Sequence, residues 1–458
     1  MSWRPLRTVV PAERRDERKA QAAWNYRLLL LDGSFFFTGS AFIDSATILP
    51  LFVSTLTSSP LIIGMVTTVR NAGHLLPQVF VAGIAQGLAR KKPLLVGGAL
   101  VSRLCVLALA LTAGLLTPGL PGVALSAFFI ALALLALADG IGGVPWTDIL
   151  ARTIPLERRG RLLGTMQCVG GLGGFAAGWV IRELMSRPVP GYPLNYAAIF
   201  SLGLLFLSLS LGATCLLREP PAPATPVAMG RYLKSLPSAV RAHPRFRRLM
   251  VARAMMSMYM LALPFYIVHS RLELGFGPGA VGAFVSAQMA GSIIGGMLWG
   301  NLADRCGNRR LLQVMAVAQL VMPGFALISR RLAGPVPGAL VFILHLFIFA
   351  ILGACFGGGM WMAFTNYLLE IVDDRNRPTY IGLMNTLSTP LGLLPVAGGV
   401  LVRHTSYPAL FAVTACLVVG GIASAWRLPE PRLQQGYPST AATCPGGTGA
   451  QAPISLEG

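Results

Sequence analysis

The chain has 458 residues, 54% of them hydrophobic and only 12% charged, with a mean hydropathy of +0.65. Soluble globular domains carry about 25% charged residues, so these totals exclude a water-soluble catalytic domain and read as a membrane protein. The net charge of +20 invites nucleic acid, but the placement of the basic residues, taken up below, removes that partner.

Twelve apolar runs, each near the roughly 20 residues that a bilayer core requires, follow one another at about 28–52, 60–84, 94–116, 120–144, 162–181, 194–217, 248–269, 278–300, 311–329, 337–361, 379–402 and 407–426. A basic segment, 1–27, comes first. No short apolar stretch with a small-residue cleavage site precedes the first run, which is expected to act as the insertion signal itself. Run one carries Asp44 and run two carries Arg70, His74 and Gln78 at i, i+4 and i+8, one face of a helix. Asp44 and Arg70 fall at similar depths, so they are expected to pair, with Asp44 and His74 exchanging protons because imidazole changes charge near neutral pH. Run three holds Arg103, expected to neutralise an acid of its own half, and run four holds Asp139. Asp32 is expected at headgroup level. Run five, GTMQCVGGLGGFAAGWV (164–180), is glycine-rich and is expected to pack closely on a neighbour.

Residues 218–247 form a linker whose Pro/Ala start reads as flexible and whose basic second part reads as a helix on an anionic leaflet or as a plain solvated tether. Beyond it, Arg253 and Tyr259 in run seven, His345 in run ten and Asn385 in run eleven are the candidate cavity residues of the second half. Residues 428–458 are rich in Pro, Gly, Ser and Thr and read as a disordered tail. The units are therefore a first bundle, 28–217, and a second, 248–427, joined by the linker.

With the N-terminus in the cytoplasm, the cytoplasmic segments hold 28 of the 37 Lys and Arg, the outer loops six, and the helices three. This alternation is the positive-inside pattern with both ends in the cytoplasm, and it explains the basic charge without nucleic acid. The halves also repeat. TDILARTIPLERRGRLLGTMQC (147–168) lies over TNYLLEIVDDRNRPTYIGLMNT (365–386), matching Thr147 with Thr365, Arg159 with Arg377 and Gly164 with Gly382. Near the same offset, GIAQGLARKKPLL (83–95) lies over GNLADRCGNRRLL (300–312), with Gly83 over Gly300 and the pair Lys91 and Lys92 near Arg309 and Arg310.

The stretch GNLADRCGNRR, as Gly300, Leu302, Ala303, Asp304, Arg305, Gly307, Arg309 and Arg310, resembles the loop signature of the major facilitator superfamily of transporters, strongest between helices two and three and echoed between eight and nine. The resemblance covers 28–427 in topology and these few positions in detail. It implies an all-α polytopic membrane protein with twelve transmembrane helices in two pseudo-symmetric six-helix bundles, in which helices one, four, seven and ten line a central cavity. It further implies a secondary active transporter moving a small solute by alternating access. Asp139 and Arg253 would then face each other across the cavity. Physically, the turn needs Gly300 for close packing and Gly307 for a conformation that side chains resist. Asp304 can meet the amides that open helix five, near Arg159 and Arg161, whenever the bundles close on the cytoplasmic face. Gly83, Lys91, Lys92 and Arg377 complete the expected gate. Gly87 stands where the first-half copy should have its acid, so the latch is expected to be one-sided.

Proton coupling is the expected drive, with Asp44, Arg70 and His74 carrying it; uniport, sodium coupling, drug export and a non-transporting receptor or scaffold stay open. The helix-five signature of the drug exporters is only approached, because its proline is absent. No phosphate-binding glycine loop and no His/Glu metal motif occurs, so neither an enzyme nor a cofactor is expected. The expected setting is the cell membrane, as a monomer in the lipid bilayer.

Overall fold

The computed structural model describes residues 12–189, 191–221, 243–357, 359–372 and 377–431, with 230, 240 and 241 as isolated positions between. The first eleven residues, most of the linker and the tail from 432 on lie outside the described residues, as do the expectations attached to them. For Asp304 and Arg377 the backbone is helical and the side chains are not described.

Twelve helical rods run back and forth. In the first half they are α1 (Ala12–Phe42 continued by Ile48–Leu56), α2 (Pro60–Leu75 continued by Gln78–Gln86), α3 (Lys92–Leu111 with a π turn, Thr112–Leu116), α4 (Pro121–Thr153), α5 (Leu156–Ser186) and α6 (Leu194–Cys215). The second half follows with α7 (Pro244–Met256, a 3₁₀ turn Ser257–Leu261, then Phe265–Leu272), α8 (Ala280–Ala303), α9 (Arg305–Leu332), α10 (Gly338–Phe356 and Gly359–Ile371), α11 (Arg377–Ser388, a 3₁₀ turn Thr389–Leu393, then Leu394–His404) and α12 (Tyr407–Trp426). Among the described residues, nine of these rods are long and apolar enough, by length and composition, to cross a membrane. The other three are α1 and α2, whose apolar pieces are short, and α5, which is diluted by glycine and by charge at its start. Proline and glycine set the turns. Pro60, Pro121 and Pro244 stand at first helical positions, where a missing N–H costs nothing. Gly307, at φ +82°, turns α8 into α9 through a conformation that a side chain resists, as the sequence led one to expect.

Between helices in lipid there is little hydrophobic drive, so association depends on close packing and small residues. The glycines of α5 supply it. A Cβ on Gly170 would meet Phe37 of α1, while Gly171, Gly174 and Gly178 face Ile293, Met289 and Ser286 of α8. Gly64 of α2 lies against Pro395 of α11, and Gly399 of α11 against Pro60. These two contacts, α5 with α8 and α2 with α11, join the first six rods to the second six. Both sit toward one end of the molecule, which we call the far face; the opposite, terminal face carries the start of α1 and the end of α12.

The apolar core divides accordingly. One cluster near the far face runs through both halves, with Phe42, Phe52 and Ile181 beside Phe265, Phe284 and Val402. Toward the terminal face there are two clusters. Leu28, Leu95, Ile149 and Leu162 pack within the first half, and Phe246, Leu311, Phe364 and Leu383 within the second. A Cβ added to Gly160, Gly164, Gly296 or Gly300 would meet nothing within 4 Å. The bundles are therefore fused at the far face and parted at the terminal face. Gly300 does not make the close helix contact expected of it, because it lies on the parted half of α8.

Candidate functional site

The site begins where α1 stops being a helix. Residues 43–47 form a turn, and Asp44 closes it. Its Oδ1 accepts from Ala46 N at 2.9 Å and from Thr47 Oγ1 at 2.8 Å, so the carboxylate pins the turn that precedes the second half of the rod. Its Oδ2 faces the other bundle and accepts from Gln288 Nε2 of α8 at 3.3 Å. The expected pair of Asp44 with Arg70 is therefore not made. The break interrupts the 3.6-residue period, so equal depth on neighbouring rods no longer implies a shared direction.

Asp44 opens onto a central cavity of about 330 Å³ between the two bundles, near the small end of the roughly 300–1,000 Å³ range of ligand pockets. Asn71 of α2 and Gln167 of α5 line it from the first half, with Tyr259 of α7, Gln288 and Ser292 of α8 and Phe356 of α10 from the second. Gln167 reaches across the interface, its Nε2 donating to Ser292 Oγ at 3.0 Å and to the carbonyl of Gly357. That carbonyl is exposed because α10 breaks there, and Ser292 Oγ also donates to it at 3.3 Å. The rings of Tyr259 and Phe356 stack with centroids 3.6 Å apart. Ala41, Leu263 and Leu352 belong both to this wall and to the shared far-face core, so the cavity lies where the fused half begins. Broken rods around it (α1, α7 and α10) are the one way irregular backbone is tolerated at membrane depth. Tyr259 lines the cavity as expected; α4 does not, and α5 and α8 take its place.

A second cavity, about 280 Å³, lies inside the first bundle. Here Arg70 Nη2 pairs with Asp139 Oδ2 at 2.7 Å, the side chains 18% and 9% exposed. His74, one turn along α2, lines the same space. Asp32 is buried rather than at headgroup level. It accepts from Trp146 Nε1 at 2.8 Å, Ser210 Oγ at 2.6 Å and Thr214 Oγ1 at 2.9 Å. Arg103 donates to Leu207 O at 2.9 Å and to Ser210 Oγ at 3.2 Å, so one hydroxyl links it to Asp32 within its own bundle, as expected. Phe37 lines both cavities. A buried charge is tolerated only with such partners.

Other expectations are corrected. Asp139 does not face Arg253, since it is held by Arg70; the Arg253 guanidinium lies 5.5 Å over the Phe364 ring in the second bundle. His345 is fully buried in an aromatic nest, its ring 5.5 Å from that of Phe276 and its Nδ1 3.3 Å from Ser329 Oγ. It packs α8, α9 and α10 together. Gln78 and Asn385 are half-buried and line neither cavity. Of the expected gate, Lys91 Nζ binds Asp148 at 2.8 Å and Lys92 Nζ donates to Cys215 O at 2.5 Å and Leu217 O at 2.8 Å, all inside the first bundle. Arg159 donates to Ala151 O and, at 2.9 Å, to Ile154 O, tying α5 to the end of α4. Arg309 donates to Trp426 O at 3.2 Å, and Arg310 to Gln313 at 3.4 Å. Arg161 is exposed.

Gln167, Asn71, Ser292 and Glu219 were not singled out from the sequence. A signal for Gln167 existed: Gln167, Gly171, Gly174 and Gly178 share one face of α5, so the lone amide continues the line of glycines that meets the other bundle.

The model of the Major Facilitator Superfamily matches residues 249–454. The uncharacterized MFS-type transporter YuxJ of Bacillus subtilis (strain 168) is 26% identical over 330 residues, covering 68% of this chain and 79% of the relative. Among solved structures, a D-xylose-proton symporter superposes with a TM-score of 0.68 at 15% identity, covering 90% of this chain and 99% of its own. An inward-facing bacterial homologue of the iron transporter ferroportin gives 0.64 at 13%, covering 88% and 98%. The nucleoside transporter NupG gives 0.59 at 14%, covering 89% and 100%. With two six-rod bundles, a polar cavity between them and broken rods around it, the chain has the fold of these transporters, and its second half is similar to the major facilitator superfamily.

Proposed function

We propose that this transporter moves a small solute through the central cavity by alternating access, driven by protons, with the terminal face in the cytoplasm. The observation that carries the reading is the divided core: shared between the bundles at the far face and split in two at the terminal face, with the cavity at the bottom of the split. Such an arrangement opens inward, and rocking the bundles about the cavity would open it outward. The cytoplasmic placement rests on the 28 of 37 basic residues that the sequence pattern assigns to the cytoplasmic segments.

The proton site of this reading is Arg70–Asp139 with His74 beside it. A buried carboxylate held by one guanidinium loses its partner's attraction when a proton arrives, which frees Arg70 to reorganise. The cavity around it reaches Phe37 and so borders the central site. Asp44 is left for the cargo.

The test uses purified protein in sealed proteoliposomes with labelled D-glucose, alanine, succinate and tetraethylammonium. The expected result is counterflow of at least one solute, and its accumulation under an imposed pH gradient. Asp139→Asn should abolish accumulation while sparing counterflow, which needs no proton. Accumulation that persists in Asp139→Asn overturns the proton site, and absence of all flux favours a non-transporting scaffold.

A further inference from the structure

We infer that the cargo of the central cavity is an organic cation, an amine or quaternary ammonium of modest size; this rests on the transport reading above. Three features of the wall converge on that chemistry. The first is charge. Asp44 is the only ionisable acid or base among the described lining residues apart from the Tyr259 phenol, and no Lys, Arg or His lines the cavity to balance it. The two donors on Oδ1, both from the turn, hold the carboxylate in place. Oδ2, facing the cavity, has a single contact at 3.3 Å, and Gln288 Oε1 beside it has no hydrogen-bond partner among the described residues.

The second feature is the helix end opposite. The first half of α10 runs 19 residues, Gly338–Phe356, and ends on the cavity at Phe356 and Gly357. Its C-terminus presents the negative end of the helix dipole, which favours a cation there and disfavours an anion. The third is aromatic. Phe37 and the stacked Tyr259–Phe356 pair form much of the apolar wall, and ring faces attract ammonium groups while repelling anions. A carboxylate, a dipole end and aromatic faces around about 330 Å³ match an ammonium carried on an apolar body. An anion would meet no counter-charge. A bare metal ion would find one carboxylate and neutral groups, far from the six to eight oxygens that hard divalent ions take.

The experiment measures binding of choline, its uncharged tert-butyl isostere, tetraethylammonium, D-glucose, succinate and sodium ion to the detergent-purified protein by titration calorimetry, with counterflow of the same solutes in proteoliposomes. Choline and tetraethylammonium are expected to bind and the isostere to bind at least about tenfold more weakly, because the isostere lacks the charge that the carboxylate and the ring faces attract. Asp44→Asn keeps the Oδ1 acceptor that pins the turn and, by removing the counter-charge, should weaken the cations about tenfold or more. Asp44→Glu should restore most of the affinity, and an unchanged melting temperature certifies the fold of each variant. Equal binding of choline and its isostere, preference for D-glucose or succinate, response to sodium alone, or full cation affinity in Asp44→Asn each overturns the cationic cargo while leaving transport intact. If no solute of this panel binds or exchanges, the transport reading fails and takes the cargo with it.

Discussion

Glu219 sets both carboxylate oxygens against the first turn of α3, accepting from Lys91 N at 2.8 and 2.9 Å and from Lys92 N at 2.8 Å. It thereby caps amides that have no partner inside their own helix and adds an anion at the positive end of the dipole. Lys92 returns the favour to the end of α6, through Cys215 O and Leu217 O. The capping acid lies 128 residues away along the chain. Glu219→Ala should destabilise the protein by about 1–3 kcal/mol, the range for losing a charged cap, read as a lowered melting temperature of the detergent-purified protein; an unchanged melt would show that the cap is idle. Asp44 and Arg70 show the limit of reading at this scale. A depth for each could be expected from the constant rise per residue. Their directions could not, because the break at 43–47 turns Asp44 toward α8 while Arg70 meets Asp139.

At the scale of elements, the decisive contacts are backbone against backbone. A Cβ on Gly178 would lie 2.6 Å from Ser286 N and 2.7 Å from Gly282 O; one on Gly399 would lie 2.5 Å from Pro60 O and 2.8 Å from Leu61 Cα. Neither neighbour can yield by turning a side chain. Val396 N, at the start of the last half of α11 and so without a partner in its own helix, donates to Thr68 Oγ1 of α2 at 3.3 Å. Gly178→Ala and Gly399→Ala should therefore wedge the far face apart and shift the population toward the outward-open arrangement. Spin labels on the far-face ends of α5 and α8 should report longer distances in the variants; distributions identical to the unaltered protein would mean that these contacts do not hold that face shut. Run five was read from its glycines as a close-packing helix, and it is one. Which helix receives it depends on how the two bundles meet, which a local pattern does not contain.

For the whole molecule, alternating access as proposed above has the two bundles rock as bodies about the cavity, so closing one face should require opening the other. The turn from Gly300 to Arg310 and the start of α5 lie on the parted, terminal face. Cysteines placed by Arg161→Cys and Asp304→Cys should crosslink poorly with a short reagent in the unaltered background, and at least severalfold better when Gly178→Ala opens the far face. A yield indifferent to that background would remove the latch and leave the turn a topological device.

The all-helical fold of repeated membrane-length rods could be read along the chain, and a side for each turn could be expected from it. These follow from local chemistry: apolar length against bilayer thickness, and the resistance of Lys and Arg to crossing it. Partnership was different. Arg70 with Asp139, Gln167 with Gly357 and Glu219 with α3 join residues 69, 190 and about 128 apart, and each depends on the rotation of a rod about its own axis. That rotation is decided by glycine notches fitting opposite backbones and by where rods break, so it exists only once all twelve have packed.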